Sequence, residues 1–171
     1  LGGVLLFGAI QAILFVVVLA LLRFVRLTAR PKVEILGELA GNAGYQSIER
    51  HPAAASPPGL VLFRYNGPIV FFSAPHFKKA VRKAAAGAGP GLKWFVIDLL
   101  PVSMIDATGL FAIRDEFDAL RSREIVVAAA GRDTEWADRA ARRDLSGVLT
   151  GIRFFPTLRL AEIAYRAETR A

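Results

Sequence analysis

The sequence predicts an α/β domain with a mostly parallel central sheet and flanking helices, preceded by one transmembrane helix. Three observations predict it. Residues 1–22 are apolar apart from Gln11. From residue 33 onward, apolar strand-like runs alternate with amphipathic helical stretches, the pattern of strands joined by crossover helices. Charge is placed unevenly: none occurs before Arg23, and the first acid is Glu34.

Composition narrows the classes. Of the 171 residues 54% are hydrophobic, and the mean hydropathy of +0.41 is high for a chain that meets only water. The absence of cysteine excludes a disulfide scaffold and a thiolate metal or redox centre. The net charge of +7 could serve nucleic acid or a membrane surface. More than half of it comes from Arg23, Arg26, Arg30 and Lys32, which adjoin the apolar run and not a base-reading helix, so nucleic acid is not expected.

As a helix, "LGGVLLFGAIQAILFVVVLALL" would be roughly 33 Å long, enough to cross a hydrocarbon core of about 30 Å. A signal peptide carries its cations before the apolar run; here they follow it. The positive-inside rule then puts the rest of the chain in the cytoplasm. The expected partition is a transmembrane helix over 1–24, a basic juxtamembrane linker over 25–32 and a cytosolic domain over 33–171. Leu1 is not an initiator, so the chain reads as the tail of a longer multi-pass protein of the inner membrane, entering through its last span. Gln11, at mid-bilayer, calls for a partner on a neighbouring helix.

Pro31 stops the helix. "VEILG" reads as a short strand, and residues 41–59 as a Gly/Pro/Ala-rich connection with one helical turn. "LVLFRYNGPIVFF" reads as two β pieces around an Asn66-Gly67-Pro68 turn. "SAPHFKKAVRKAAAG" is a helix with Ser73 as N-cap and Phe77, Ala80, Val81 and Ala84 as its apolar stripe. Gly ends it, and "LKWFVIDLL" is a continuous apolar strand of the kind buried on both faces. "GLFAIRDEFDALRSR" places Leu110, Ile113, Phe117 and Leu120 at helical spacing. A buried strand "EIVVAAAG" follows, then an amphipathic helix "DTEWADRAARRDLSG" capped at Asp133 or Thr134. The chain closes with a short extended "IRFFP" and a helix begun by Thr157.

The chemistry-bearing motifs are few. "GAGPGLK", residues 87–93, is not a phosphate-binding loop: a helix precedes it, a strand follows, and Lys93 is succeeded by Trp94. His51 and His76 are the two histidines, and with Glu49 as the acid near them they make no zinc set, so no metal, cofactor or catalytic residue is expected. In "KKAVRK", Lys79 stands over Lys83 and Lys78 over Arg82, either a solvated face or, on a membrane-tethered domain, a contact for anionic headgroups. With Arg23, Arg26, Arg30 and Lys32, Lys79 and Lys83 are the membrane-surface candidates. In "SMIDATGLFAI", Asp106 can accept from the N–H of Thr108 or Gly109 and meet the helix dipole, while Gly109 lets the first turn approach neighbouring backbone. The same helix N-terminus, with the Thr108 hydroxyl, also suits an added phosphate or a bound anion. Asp106, Thr108 and Gly109 are therefore the regulatory or anion-site candidates.

These residues resemble a STAS domain, the fold shared by anti-sigma-factor antagonists and the tails of SulP anion transporters. "VIDLLPVSMIDATG" before a helix, "FRYNGPIVFFSAPHF" upstream and "GIRFFPTLRLAEIA" at the end carry the likeness. The transporter branch is similar in its entry segment: a basic-flanked final span followed by Glu49, Arg50, His51, Pro52, Pro58, Gly59, Arg64, Phe71, Phe72 and Ala74. Ser73 stands where those transporters commonly have Asn. The resemblance implies a non-enzymatic part of a secondary transporter for sulfate, bicarbonate or a dicarboxylate. Its partners would be the membrane, the remaining transmembrane bundle, a second copy in a homodimer and a cytosolic regulatory protein. The alternative is a membrane-tethered signalling module of the anti-sigma-factor-antagonist type. There the residue after the Asp is a phosphorylated serine; here it is Ala107, which has no acceptor oxygen.

Overall fold

In a computed structural model, the structure describes residues 2–39, 41, 44–131 and 151–169. Helix α1 (Gly2–Thr28) is followed by β1 (Lys32–Glu38), β2 (Tyr45–Ser47), β3 (Leu60–Asn66), α2 (Ala74–Gly87) and β4 (Trp94–Asp98). Then come α3 (Ala107–Arg121), β5 (Val126–Ala130), β6 (Arg153–Phe155) and α4 (Leu158–Thr169). The sheet order is β2-β1-β3-β4-β5-β6. β3, β4, β5 and β6 pair in parallel, whereas β1 runs antiparallel to both β2 and β3. The mostly parallel sheet is thus present, with an antiparallel edge built from the entry segment.

Each face of the sheet has its own core. Phe63, Phe95, Ile97, Val127 and Ala129 pack under α2 and α3, which contribute Phe77, Val81, Ile113 and Phe117. Leu36, Leu62, Trp94, Val96 and Ala128 pack under Leu158, Ala161 and Tyr165 of α4. All five residues of β4 are buried, as a strand covered on both faces requires. Two aromatic contacts knit α2 to the sheet, Phe63 and Tyr65 edge-on to Phe77 at 6.2 and 5.4 Å, while Phe63 meets Phe95 within the sheet at 5.4 Å. Such pairs add about 0.5–1.5 kcal/mol each beyond the area they bury. The opposite face is closed by polar ties: Tyr45 donates to Glu162 at 2.7 Å, and the Tyr165 hydroxyl donates to the Pro58 carbonyl.

Several elements differ from the sequence reading. Residues 45–47 form a strand and not part of a helical turn, because Gly41 (φ 86°) and Gly44 (φ 134°) turn the chain back onto β1. Asn66-Gly67-Pro68 does not make a hairpin; Ile69 continues as a bridge parallel to Ile105, between β3 and the chain leaving β4. Ser73 precedes α2 without capping it: its hydroxyl donates to the Pro68 carbonyl at 2.7 Å and accepts from Val70 N–H at 3.0 Å, closing the preceding turn. Helix α1 extends to Thr28 and β1 begins at Lys32, so residues 29–31 alone separate them where a linker over 25–32 was expected. The helix expected from Asp133 or Thr134 lies outside the described residues.

Alkali should loosen this fold through its buried phenols. Burial pushes the Tyr65 phenol up to about 12. Burial, and then the Glu162 carboxylate that Tyr45 bonds, raise Tyr45 as well. A phenol raised in the folded state is neutral in both states below its ordinary value; above it the unfolded chain ionises first. Stability to urea should therefore be flat in this respect up to about pH 10 and fall between there and about pH 12. Tyr65→Phe should show a shallower fall, and an identical slope in the variant would contradict the assignment.

Candidate functional site

The site is built where β4 ends. Asp98, fully buried, accepts from Arg64 Nε at 2.7 Å and from the backbone N–H of Leu100 at 3.0 Å, which turns the chain out of the sheet. Ile105 then returns to pair with Ile69, and Asp106 begins α3. The Asp106 backbone is extended (φ −93°, ψ −179°), the geometry of an N-cap. One carboxylate oxygen accepts from Gly109 N–H at 2.7 Å, as the sequence indicated; the other accepts from Phe71 N–H at 2.9 Å, which it did not. Asp106 thus holds two segments, the first turn of α3 and the loop after β3. A Cβ on Gly109 would overlap the carbonyl oxygen of Ile69, so this turn can lie against that bridge only with glycine there.

Ala107 and Thr108 are exposed on the outer side of the turn. Thr108 offers a hydroxyl at a helix N-terminus, but the positive end of the dipole already faces the Asp106 carboxylate, beside which any further anion must sit. Around the corner stand exposed apolar side chains, Phe71, Leu100, Met104 and Phe111. The cavity beneath is lined by Ile97, Leu99, Ile105, Leu110 and Phe117, all apolar, and suits no anion. Among the described residues no group of three or more His, Asp or Glu could hold a metal ion.

The basic candidates separate into sets. Arg23 and Arg26 are exposed on the last turns of α1, Arg30 lies just beyond it, and Lys32 starts β1 with its amine 3.4 Å from Glu34. On α2, Lys78 binds Asp115 at 2.8 Å and Arg82 grips Glu116 through Nε and Nη2, so this pair faces α3. The Lys78 ammonium holds the Asp115 carboxyl below its ordinary range, and Glu116 raises the Arg82 guanidinium. Lys79 and Lys83 are left exposed, with no ion-pair partner among the described residues. The structure therefore brings Asp106, Thr108 and Gly109 to one corner and leaves the six cations spread over the entry and the outer face of α2.

Two further groups escaped sequence reading. Glu34, 6% exposed, accepts from Arg50 and, at 2.9 Å, from Asn66. Pro31 is buried beside Gly67, whose missing Cβ would stand 2.8 Å from it, and the Pro31 carbonyl accepts from His76 Nε2 at 3.0 Å. These partners lie 16 to 45 residues apart, beyond the reach of any local pattern. Arg50 and Arg64 were legible as landmarks of the family resemblance, and the carboxylates they serve were not.

Comparison with known proteins agrees with this architecture. A STAS domain family profile matches residues 51–161. A protein named as a probable sulfate transporter of Mycobacterium tuberculosis is 29% identical over 165 residues, covering 96% of this chain and 30% of its own length. The chain thus spans less than a third of that relative. The murine solute carrier 26 member A9 anion transporter superposes with a TM-score of 0.73 at 15% identity, over 86% of this chain and 24% of its own. An anti-sigma factor antagonist of Mycobacterium paratuberculosis superposes with 0.50 at 22%, over 79% and 95%. At these identities the two structures speak for the fold alone.

Asp106→Ala should cost about 0.5–2 kcal/mol as a lost N-cap, and it should act at two places at once. Amide hydrogen exchange should quicken at Gly109 and also at Phe71, 38 residues away. Quickening at Gly109 alone would show that the loop after β3 is held by something else.

Proposed function

The chain belongs to the STAS domain family, and from that premise we propose that it is the C-terminal part of a SulP-type secondary anion transporter. The proposed cargo is sulfate, bicarbonate or a dicarboxylate. Helix α1 would be the last membrane span, and the domain from about residue 33 would lie in the cytoplasm and serve assembly or regulation of transport. The observation that carries this reading is the extent of the similarity. A match to a sulfate transporter over 96% of the chain takes in α1 as well as the domain, and a free-standing signalling module would match only the latter. Residues 8–26 are apolar enough to cross a membrane, and none of that stretch is buried against the domain. Substrate would bind in the remaining bundle, near the N-termini of broken helices, and not in this domain. The role proposed here is not enzymatic, and a homodimer and a cytosolic regulatory protein are its proposed partners.

The second reading, a membrane-tethered signalling module, needs an acceptor hydroxyl after Asp106. Ala107 supplies none, and Thr108 is the exposed hydroxyl next in line. On the transporter reading the corner of Asp106, Thr108 and Gly109 is a structural joint whose regulatory use would fall to Thr108. Arg23, Arg26, Arg30, Lys32, Lys79 and Lys83 would meet anionic headgroups.

Uptake of radiolabelled sulfate or bicarbonate into proteoliposomes should need the whole protein; residues 1–171 alone should give none, and uptake by them would sink the assignment. Lys79→Glu with Lys83→Glu should weaken binding of the domain over 33–171 to anionic liposomes by roughly tenfold or more, at about 1 kcal/mol for each cation near the surface. Unchanged partition would remove both lysines from the membrane contact.

A further inference from the structure

The contacts that hold β1 against β3 include a residue open to reaction with its own backbone. The chain has two asparagines, Asn42 before Ala43 and Asn66 before Gly67. An asparagine amide can be attacked by the nitrogen of the next peptide, and glycine, with no Cβ, shields that nitrogen least. Asn66 closes β3, half-buried, and its side-chain nitrogen donates to Glu34 Oε2 at 2.9 Å. Glu34 is 6% exposed, and its other oxygen serves Arg50 and, at 3.4 Å, Lys32. The attacking atom is held as well. Gly67 N–H donates to the Tyr65 carbonyl at 3.1 Å, and Pro31 fills the space beside Gly67, where a Cβ would stand 2.8 Å from it. The amide is thus fixed from β1, and the nitrogen from β3 and the residue before β1. All these restraints meet where Lys32 and Asn66 are register partners, at the junction between α1 and the domain.

We propose that Asn66-Gly67 is a self-modification site gated by Glu34, at which Asn66 becomes aspartate or isoaspartate when β1 opens from β3. The Gly67 nitrogen gives its proton to solvent base and bonds Asn66 Cγ. The Cγ–Nδ2 bond breaks, and that nitrogen takes up a proton and leaves as ammonia. Water then opens the resulting succinimide at either carbonyl and leaves a carboxylate in both cases; no oxidant or cofactor takes part. Neither product fits the closed junction. Aspartate puts a second carboxylate beside Glu34 Oε2, where an amide donated, and like charges so close disfavour each other. Isoaspartate also adds a backbone carbon ahead of Gly67, which has no spare room against Pro31. The reaction is therefore slow while β1 is in place and, once it has occurred, hinders the return of β1. The site is a one-way record of opening at the junction, and it does not rest on the transporter reading.

The test is to age the whole protein in its membranes, in water enriched in heavy oxygen, and to follow the peptide holding Asn66 by mass spectrometry. Uptake of the label dates conversion to the ageing step, and an isoaspartyl methyltransferase reports isoaspartate. Conversion at Asn66 should be measurable in the folded protein and about tenfold or more faster in urea, the effect of opening two hydrogen bonds of ordinary strength. In urea Asn66 should outrun Asn42, whose neighbour carries a Cβ. Glu34→Ala, where circular dichroism shows it folded, should move the rate toward that in urea; the comparison of folded with unfolded wild type stands without it. Asn66→Asp, made as the product, should quicken amide exchange over residues 33–36 more than Asn66→Ser, which loses the donor and adds no charge. Equal rates in folded and unfolded wild type, or no conversion in the folded protein, would overturn the proposal. So would an unchanged rate in folded Glu34→Ala, or equal exchange in the two variants at position 66.

Discussion

The first turn of α3 lies against the carbonyl of Ile69, and much of the end of the domain that α1 enters depends on that contact. It needs a residue without a side chain at 109 and an acceptor at 106 that reaches in two directions. With both present, the bridge between Ile69 and Ile105 prolongs the parallel pairing of β3 and β4 past the end of the sheet. The loops at that end thereby become extensions of the core rather than free connections. The hydrogen-bonding capacity of Asp106 is directed at backbone, and its chemistry is spent on holding the fold.

Beside this joint runs a row of charges across three strands. Glu34, Arg64 and Asp98 are register neighbours on β1, β3 and β4, and both carboxylates are buried. A buried carboxylate is costly unless paired and hydrogen-bonded. Asp98 has Arg64 and a backbone N–H; Glu34 has Arg50 and Asn66. Removing either arginine would strand a charge in the interior, at a cost of about 3–5 kcal/mol where the pair is fully buried and less here, where Arg64 and Arg50 are partly solvated. The Glu-Arg-His-Pro element of the entry segment owes its structural sense to this row, because Arg50 reaches back from it to the first strand of the domain.

The fold was legible where a local period decides the structure. β4 is apolar along its whole length and is buried throughout; α3 buries Leu110, Ile113, Phe117 and Leu120, the residues its spacing picked out. Reading failed where a competing partner, near or distant, decides. Ser73 has the chemistry of an N-cap, but the carbonyl of Pro68 and the N–H of Val70 compete for its hydroxyl and win. Asn66-Gly67 has the chemistry of a hairpin, yet Pro31 fills the space beside Gly67 and Ile105 offers the better strand partner. At the candidate site, the N-cap bond to Gly109 is local and was foreseen. The bond to Phe71 N–H and the Pro31–His76 clamp join residues 35 and 45 apart, and nothing in the intervening sequence announces them.

The same joint bears on what the Asp-x-Thr-Gly element can mean. A switch at a helix N-terminus works when adding charge changes which groups the corner binds. Here Asp106 already satisfies Gly109 and Phe71, and Ala107, exposed beside it, has no oxygen to modify. The element can therefore retain its geometry as a structural requirement after the phosphorylatable group is gone. In the role proposed for this chain the corner is then a joint, and the question of regulation moves from its chemistry to the surfaces it holds in place.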